Sequence, residues 1–223
     1  MRASSFLRFA RAAMGELPMT SSPHVLASRR HWVFDLDGTL TVAVHDFAAI
    51  RQALGVRDHE DILAHIAALP AYEADAKRVW LLEHERGLAL ASRPAMGAIA
   101  LVRSLAARGC RLGILTRNLR ELALLSLEAI GLADCFDPAD VLGREDAPPK
   151  PDPAGLHRLA EHWAIDPALL TMVGDYAYDL ACARAAGAQA VLVNLPLNQW
   201  PDLADWHFVD CGDLAAALGA TAG

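Results

Sequence analysis

Long apolar runs are missing from this chain. No stretch reaches the roughly eighteen consecutive apolar residues that a membrane-spanning helix needs, and residues 1–30 hold no continuous apolar segment of secretory-signal length. Membrane insertion and secretion are therefore not expected. Cysteine is scarce as well: Cys110, Cys135, Cys182 and Cys211 stand singly, without the close pairing of zinc sites or redox motifs. Free thiols in a reducing cytoplasm are predicted. Basic charge is short overall, with a net charge of −7. It is also unevenly spread, because residues 1–30 carry five arginines against Glu16, which leaves 15 basic and 26 acidic groups for the rest of the chain. A body this acidic repels nucleic acid and anionic lipid, so neither is an expected partner. Lysine is almost absent: Lys77 and Lys150 stand against eighteen arginines. In such a chain a lysine marks a place where a compact ammonium serves better than a guanidinium.

What is present fits one α/β core with a small inserted unit, at 223 residues and 54% hydrophobic composition. The apolar run 31–36 reads as a buried strand, and further strands are predicted over 111–116, 139–142, 170–174 and 188–193, with a short one at 207–210. Helices are predicted over 95–107, 119–130, 153–164, 177–186 and 213–218. Strands alternating with helices imply a Rossmann-like parallel sheet covered on both faces. Helices at 46–54, 59–68 and 71–90 interrupt the rhythm after the first strand. The expected division is an N-terminal extension over 1–30 outside the core, an α/β core over 31–44 and 93–223, and a helical cap over 45–92. The extension is Arg- and Ser-rich like an organelle transit peptide, although a start further along, at Met14 or Met19, accounts for it more simply.

Four strand ends carry residues with chemistry. Asp35-Leu-Asp37-Gly-Thr places two acids where the first strand stops, with Gly38 permitting a sharp turn. Calcium loops also use Asp-x-Asp-Gly, but the glutamate that would close such a loop is absent, since residue 46 is aspartate. Thr116 ends the strand over 111–116 ahead of Arg117 and Asn118, where a hydroxyl and backbone N–H groups suit a phosphate or simply cap a helix. Lys150 lies between Pro148-Pro149 and Pro151 in a stiff loop, which presents the ammonium with little entropy to lose or is merely a solvated linker. Gly174-Asp175-Tyr-Ala-Tyr-Asp179 puts two acids within one helical turn at another strand end, as a shared site or as cap and first-turn acid. Ligands of open α/β sheets bind beyond the carboxyl ends of the strands. Acid, hydroxyl, lysine and acid at four successive strand ends therefore read as one site.

In these four ordered motifs, Asp35-x-Asp37-Gly-Thr, Thr116, Lys150 and Gly174-Asp175-x-x-x-Asp179, the chain resembles the haloacid dehalogenase-like (HAD) hydrolase superfamily. The branch is the one like phosphoglycolate phosphatase and β-phosphoglucomutase, and the resemblance spans roughly residues 31–195. It implies that Asp35 attacks phosphorus to give an aspartyl-phosphate, while Asp37 protonates the leaving oxygen and later deprotonates water. It implies Mg2+ held by Asp35, Asp175 and the Asp37 backbone carbonyl. Thr116, Arg117 and Lys150 would bind the phosphoryl group, with Asp179 and Asn118 supporting from behind. The expected partner is a small phosphorylated metabolite such as phosphoglycolate, a sugar phosphate or a nucleoside phosphate, acted on by a monomer or homodimer. Two departures stand out: Arg117 intervenes between Thr116 and Asn118, and Tyr176 replaces the small residue common after Asp175. Arg117 is expected at the substrate's far anionic end. A phosphosugar mutase uses the same motifs and differs in how well the cap excludes water. A non-catalytic phosphate-binding module is a third reading, against which the complete motif set counts. Lys77 raises a phosphonate-cleaving Schiff base, although its mid-helix setting reads as a surface lysine. No role is assigned to His45, Asp46, Trp80, Glu83 or His84.

Overall fold

In the computed structural model, residues 23–43, 47–58 and 60–220 are described. A short helix α1 (Pro23–Ser28) leads into strand β1 (His31–Phe34). Three helices follow, α2 (Phe47–Leu54), α3 (Ile62–Ala67) and α4 (Ala71–Leu90). The βα rhythm then resumes with α5 (Ala98–Ala107), β2 (Arg111–Leu115), α6 (Arg120–Ala129), β3 (Val141–Leu142) and α7 (Ala154–His162). It closes with β4 (Leu170–Gly174), α8 (Ala177–Ala186), β5 (Gln189–Leu192), β6 (Trp206–His207) and α9 (Cys211–Ala220).

The six strands form one sheet in the order β3-β2-β1-β4-β5-β6, parallel throughout. The chain moves outward from β1 to β2 and β3, then crosses back to β4. The strand order therefore reverses beside β1, which opens a crevice at the carboxyl ends there. Alternation along the strands divides the core. Trp32, Phe34, Leu112, Ile114 and Val173 face one cluster with α5, α6 and α9, whereas Val33, Leu115, Leu170 and Met172 face another with α7 and α8. The helical insertion has a small core of its own, built from Ile50, Leu54, Val56, Ile66, Ala74 and Leu81.

The extension predicted over 1–30 needs correction from Pro23 onward. Leu26 is 2% exposed and belongs to the first core cluster. The Arg29 guanidinium donates to the Leu170 carbonyl at 2.7 Å and to the Thr171 hydroxyl at 3.1 Å, which ties the segment to β4. Residues 1–22 lie outside the described residues, as do His45 and Asp46. The α3 helix begins later than expected because Asp61 caps it, its Oδ1 accepting from Ala64 N at 2.9 Å. The last strand falls at Trp206–His207 rather than 207–210. The four cysteines are free, with Cys110, Cys182 and Cys211 buried.

Candidate active site

Each of the four motifs leaves the sheet at a carboxyl end. Asp35 follows β1, and its N–H donates to the Val173 carbonyl of β4 at 2.9 Å, so the strand pairing itself positions the carboxylate. The chain then turns at Gly38, with φ +90°, a conformation that L side chains rarely adopt. A Cβ there would lie 2.4 Å from Asp175 Oδ2, so glycine is also the residue that lets the loop reach the second acid. Thr39 joins the two, its hydroxyl donating to Asp175 Oδ1 at 3.0 Å and lying 3.5 Å from Asp35 Oδ2.

Lys150 is buried at the centre. Its ammonium lies 2.5 Å from Asp35 Oδ1, 2.8 Å from Asp179 Oδ1 and 2.7 Å from the Leu115 carbonyl at the end of β2. Asp179 also accepts from the Tyr176 N–H at 3.1 Å, which closes the first turn of α8. Thr116 Oγ1 accepts from the Asn118 N–H at 3.1 Å, and Asn118 Oδ1 accepts from Leu119 N at 3.0 Å. The structure therefore brings Asp35, Thr116, Lys150, Asp175 and Asp179 together. Asp37, Arg117 and Asn118 line the same pocket, which has a volume of about 540 Å³.

Electrostatics follow from this crowding. Burial pushes the Asp35 carboxyl up to about 8, because it outweighs the opposing pull of Lys150. Asp175 is pushed up to about 6, first by burial and then by Asp179. For Lys150, burial works against the charge, but Asp179 and Asp35 more than offset it and hold the ammonium above the usual lysine value. Carboxylate oxygens of Asp35, Asp175 and Asp179 lie within 4.8 Å of one another. An all-oxygen set of this kind fits a hard divalent cation. The cluster includes Asp179 beside Asp35 and Asp175.

Several residues in and around the site escaped the sequence reading. Asn194, just past β5 and with φ +62°, donates from Nδ2 to the carbonyls of Gly38 and Thr39 at 2.7 and 2.9 Å and so holds the first loop closed. Its position after an apolar run was the available signal, the same one that marked the other strand ends. Glu85 of α4 pairs with Arg144 through two contacts of 3.0 Å, tying the helical insertion to the loop after β3. No local pattern announces that pair. Lys77 donates to the Leu54 carbonyl at 2.5 Å, at the end of α2, so the second lysine serves the insertion and does not line the pocket. Trp80 and His84 stack on each other, 5.1 Å apart, also outside the lining.

A parallel sheet that gathers acids and one lysine at its carboxyl ends defines a class of α/β hydrolases. The chain belongs to the haloacid dehalogenase-like hydrolases, whose family model matches residues 30–187. A phosphoglycolate phosphatase of Rhodospirillum rubrum is 34% identical over 200 residues, covering 76% of this chain and 81% of that protein. A haloacid dehalogenase-like hydrolase domain-containing protein of Arabidopsis thaliana is 32% identical over 182 residues, covering 76% of this chain and 73% of its own. The crystal structure of a predicted phosphoglycolate phosphatase from Haemophilus somnus shares the fold with a TM-score of 0.67 at 23% identity, covering 84% of this chain and 97% of that one. Among the described residues, no helix is long and apolar enough to cross a membrane.

Proposed function

We propose that the protein is a magnesium-dependent phosphatase that moves the phosphoryl group of a small phosphomonoester to Asp35 and then to water. The observation that carries this reading is the Asp35 carboxylate, held 2.5 Å from the buried Lys150 ammonium in a pocket that also presents Asp37 and Asp175. An oxygen of Asp35 attacks phosphorus as the bond to the leaving oxygen breaks, and Asp37 supplies the proton that the leaving alkoxide takes. Water then gives a proton to Asp37 and attacks the same phosphorus, so that the bond to Asp35 breaks and orthophosphate leaves. Lys150 and Thr116 offset the negative charge on the transferring group, and Asp179 fixes Lys150 while Asn118 orients Thr116. Asp35 and Asp175, with the Asp37 carbonyl, would hold Mg2+, which when bound supplies the positive charge that keeps the nucleophile ionised. The helices over 45–92 act as a cap that limits the substrate to small esters. Phosphoglycolate is one such ester, in keeping with the name of the Rhodospirillum rubrum relative.

The test is orthophosphate release from phosphoglycolate, sugar phosphates and nucleoside monophosphates with Mg2+, beside EDTA and Asp35→Asn controls. Release that EDTA stops and that falls by at least about a thousandfold in the variant is expected. A rearranged ester without orthophosphate would identify a mutase instead. No turnover of any ester by the folded protein would point to binding without catalysis.

A further inference from the structure

The two departures from the family's motifs, Arg117 and Tyr176, are joined through one ring, that of Tyr178. Tyr176 and Tyr178 both line the pocket yet are 51% and 44% exposed. The Tyr176 ring stands edge-on to Tyr178 at 5.2 Å and 82°, and edge-on to Trp200 at 5.2 Å and 74°. Trp200 packs against the core cluster beneath α7 and α8, so one end of this aromatic row is anchored. At the other end the Arg117 guanidinium lies 5.7 Å over the Tyr178 ring. From the helical insertion Ile62 and Leu63 line the same pocket, and Leu63 is 46% exposed. The pocket therefore has a charged floor and an open apolar and aromatic wall. Exposed apolar surface framed by polar groups marks a place where something binds. A carboxylate or a hydroxylated leaving group gains little from such a wall. The volume of about 540 Å³ also lies in the range that encloses drug-sized molecules, far more than a two-carbon ester fills.

We infer that the preferred substrates are phosphomonoesters whose leaving group carries a flat aromatic ring, set against Tyr176 and Tyr178. The inference rests on the phosphatase reading above and narrows its substrate class. Arg117, expected from the sequence at a second anion, acts here by holding Tyr178 through its ring face. Aryl-alkyl and nucleoside esters share this chemistry.

The experiment compares kcat/KM for benzyl phosphate and cyclohexylmethyl phosphate, with Mg2+ present. Both release a primary alcohol, so the leaving groups are matched and the rings differ in being flat or puckered. Adenosine monophosphate against ribose phosphate, both esterified at the primary hydroxyl, forms a second pair. The flat ring is expected to be favoured about three- to tenfold in the first pair. Tyr178→Leu and, separately, Tyr176→Leu keep an apolar side chain without the ring and should bring that ratio toward one. The same preference in the adenosine pair assigns nucleoside esters, and its absence there assigns aryl-alkyl esters. A ratio of one or less in the unaltered protein, or a ratio unchanged in both variants, overturns the inference while leaving the phosphatase reading intact, since both esters are still hydrolysed. Failure to hydrolyse any ester overturns that reading and this inference with it.

Discussion

The Lys150 ammonium has three protons and three oxygens around it: Asp35 Oδ1, Asp179 Oδ1 and the Leu115 carbonyl. Three acceptors from three separate segments suit a compact ammonium better than a planar fork, which is the physical reason for a lysine in a chain that uses arginine almost everywhere else. Removing it leaves the Asp35, Asp175 and Asp179 carboxylates clustered within 4.8 Å without their internal cation. Lys150→Met is therefore expected to lower turnover by at least about a hundredfold. Lys150→Arg should fail to restore it, because a planar guanidinium cannot reach those three oxygens from the same buried volume. Phosphate-release assays on variants whose circular dichroism matches the unaltered protein test this. An arginine variant with most of the activity would show that charge alone suffices. Lys150 was legible because its rarity and its proline-stiffened loop are both local. Asn194 was not, since its two bonds reach carbonyls 156 and 155 residues away.

Among the elements, buried apolar runs made the central strands legible, and Gly109, Gly131 and Gly187, just past α5, α6 and α8, adopt the positive φ that ends a helix. The α1 helix gave no such signal. It spans six residues, too few for a 3.6-residue period to show, and it meets the core through Leu26, with Ala27 packed beside it. The surrounding arginines and serines made the segment read as an extension. Packing decides otherwise, because α1 lies against α9 and Arg29 bonds to the start of β4. Leu26→Ala should cost roughly 2–5 kcal/mol, the range for a buried leucine whose cavity only partly collapses. Urea unfolding measures it. A loss below about 0.5 kcal/mol would return the segment to the status of an appendage.

At the scale of the whole molecule, the site's acids set how stability depends on pH and on metal. Folding raises the Asp35 carboxyl from an ordinary 3.8 to about 8, and Asp175 from 3.8 to about 6, chiefly through burial. Between those values the native state binds more protons than the unfolded chain, so stability falls as pH rises through this window. The metal-free protein should accordingly melt at progressively lower temperature from about pH 5 to about pH 8. A divalent cation competes with those same protons, so the rise in melting temperature on adding Mg2+ should grow across the window. Asp35→Asn replaces the most strongly raised carboxyl with a neutral group of the same shape and should flatten both trends. Thermal melts in EDTA and in Mg2+ across the range supply the measurement. A melting temperature in EDTA that climbs toward pH 8, with a Mg2+ increment independent of pH, would mean that the three carboxylates are already ionised without a cation. The floor of the site would then be a set of internal ion pairs organised by Lys150, not a seat for a metal.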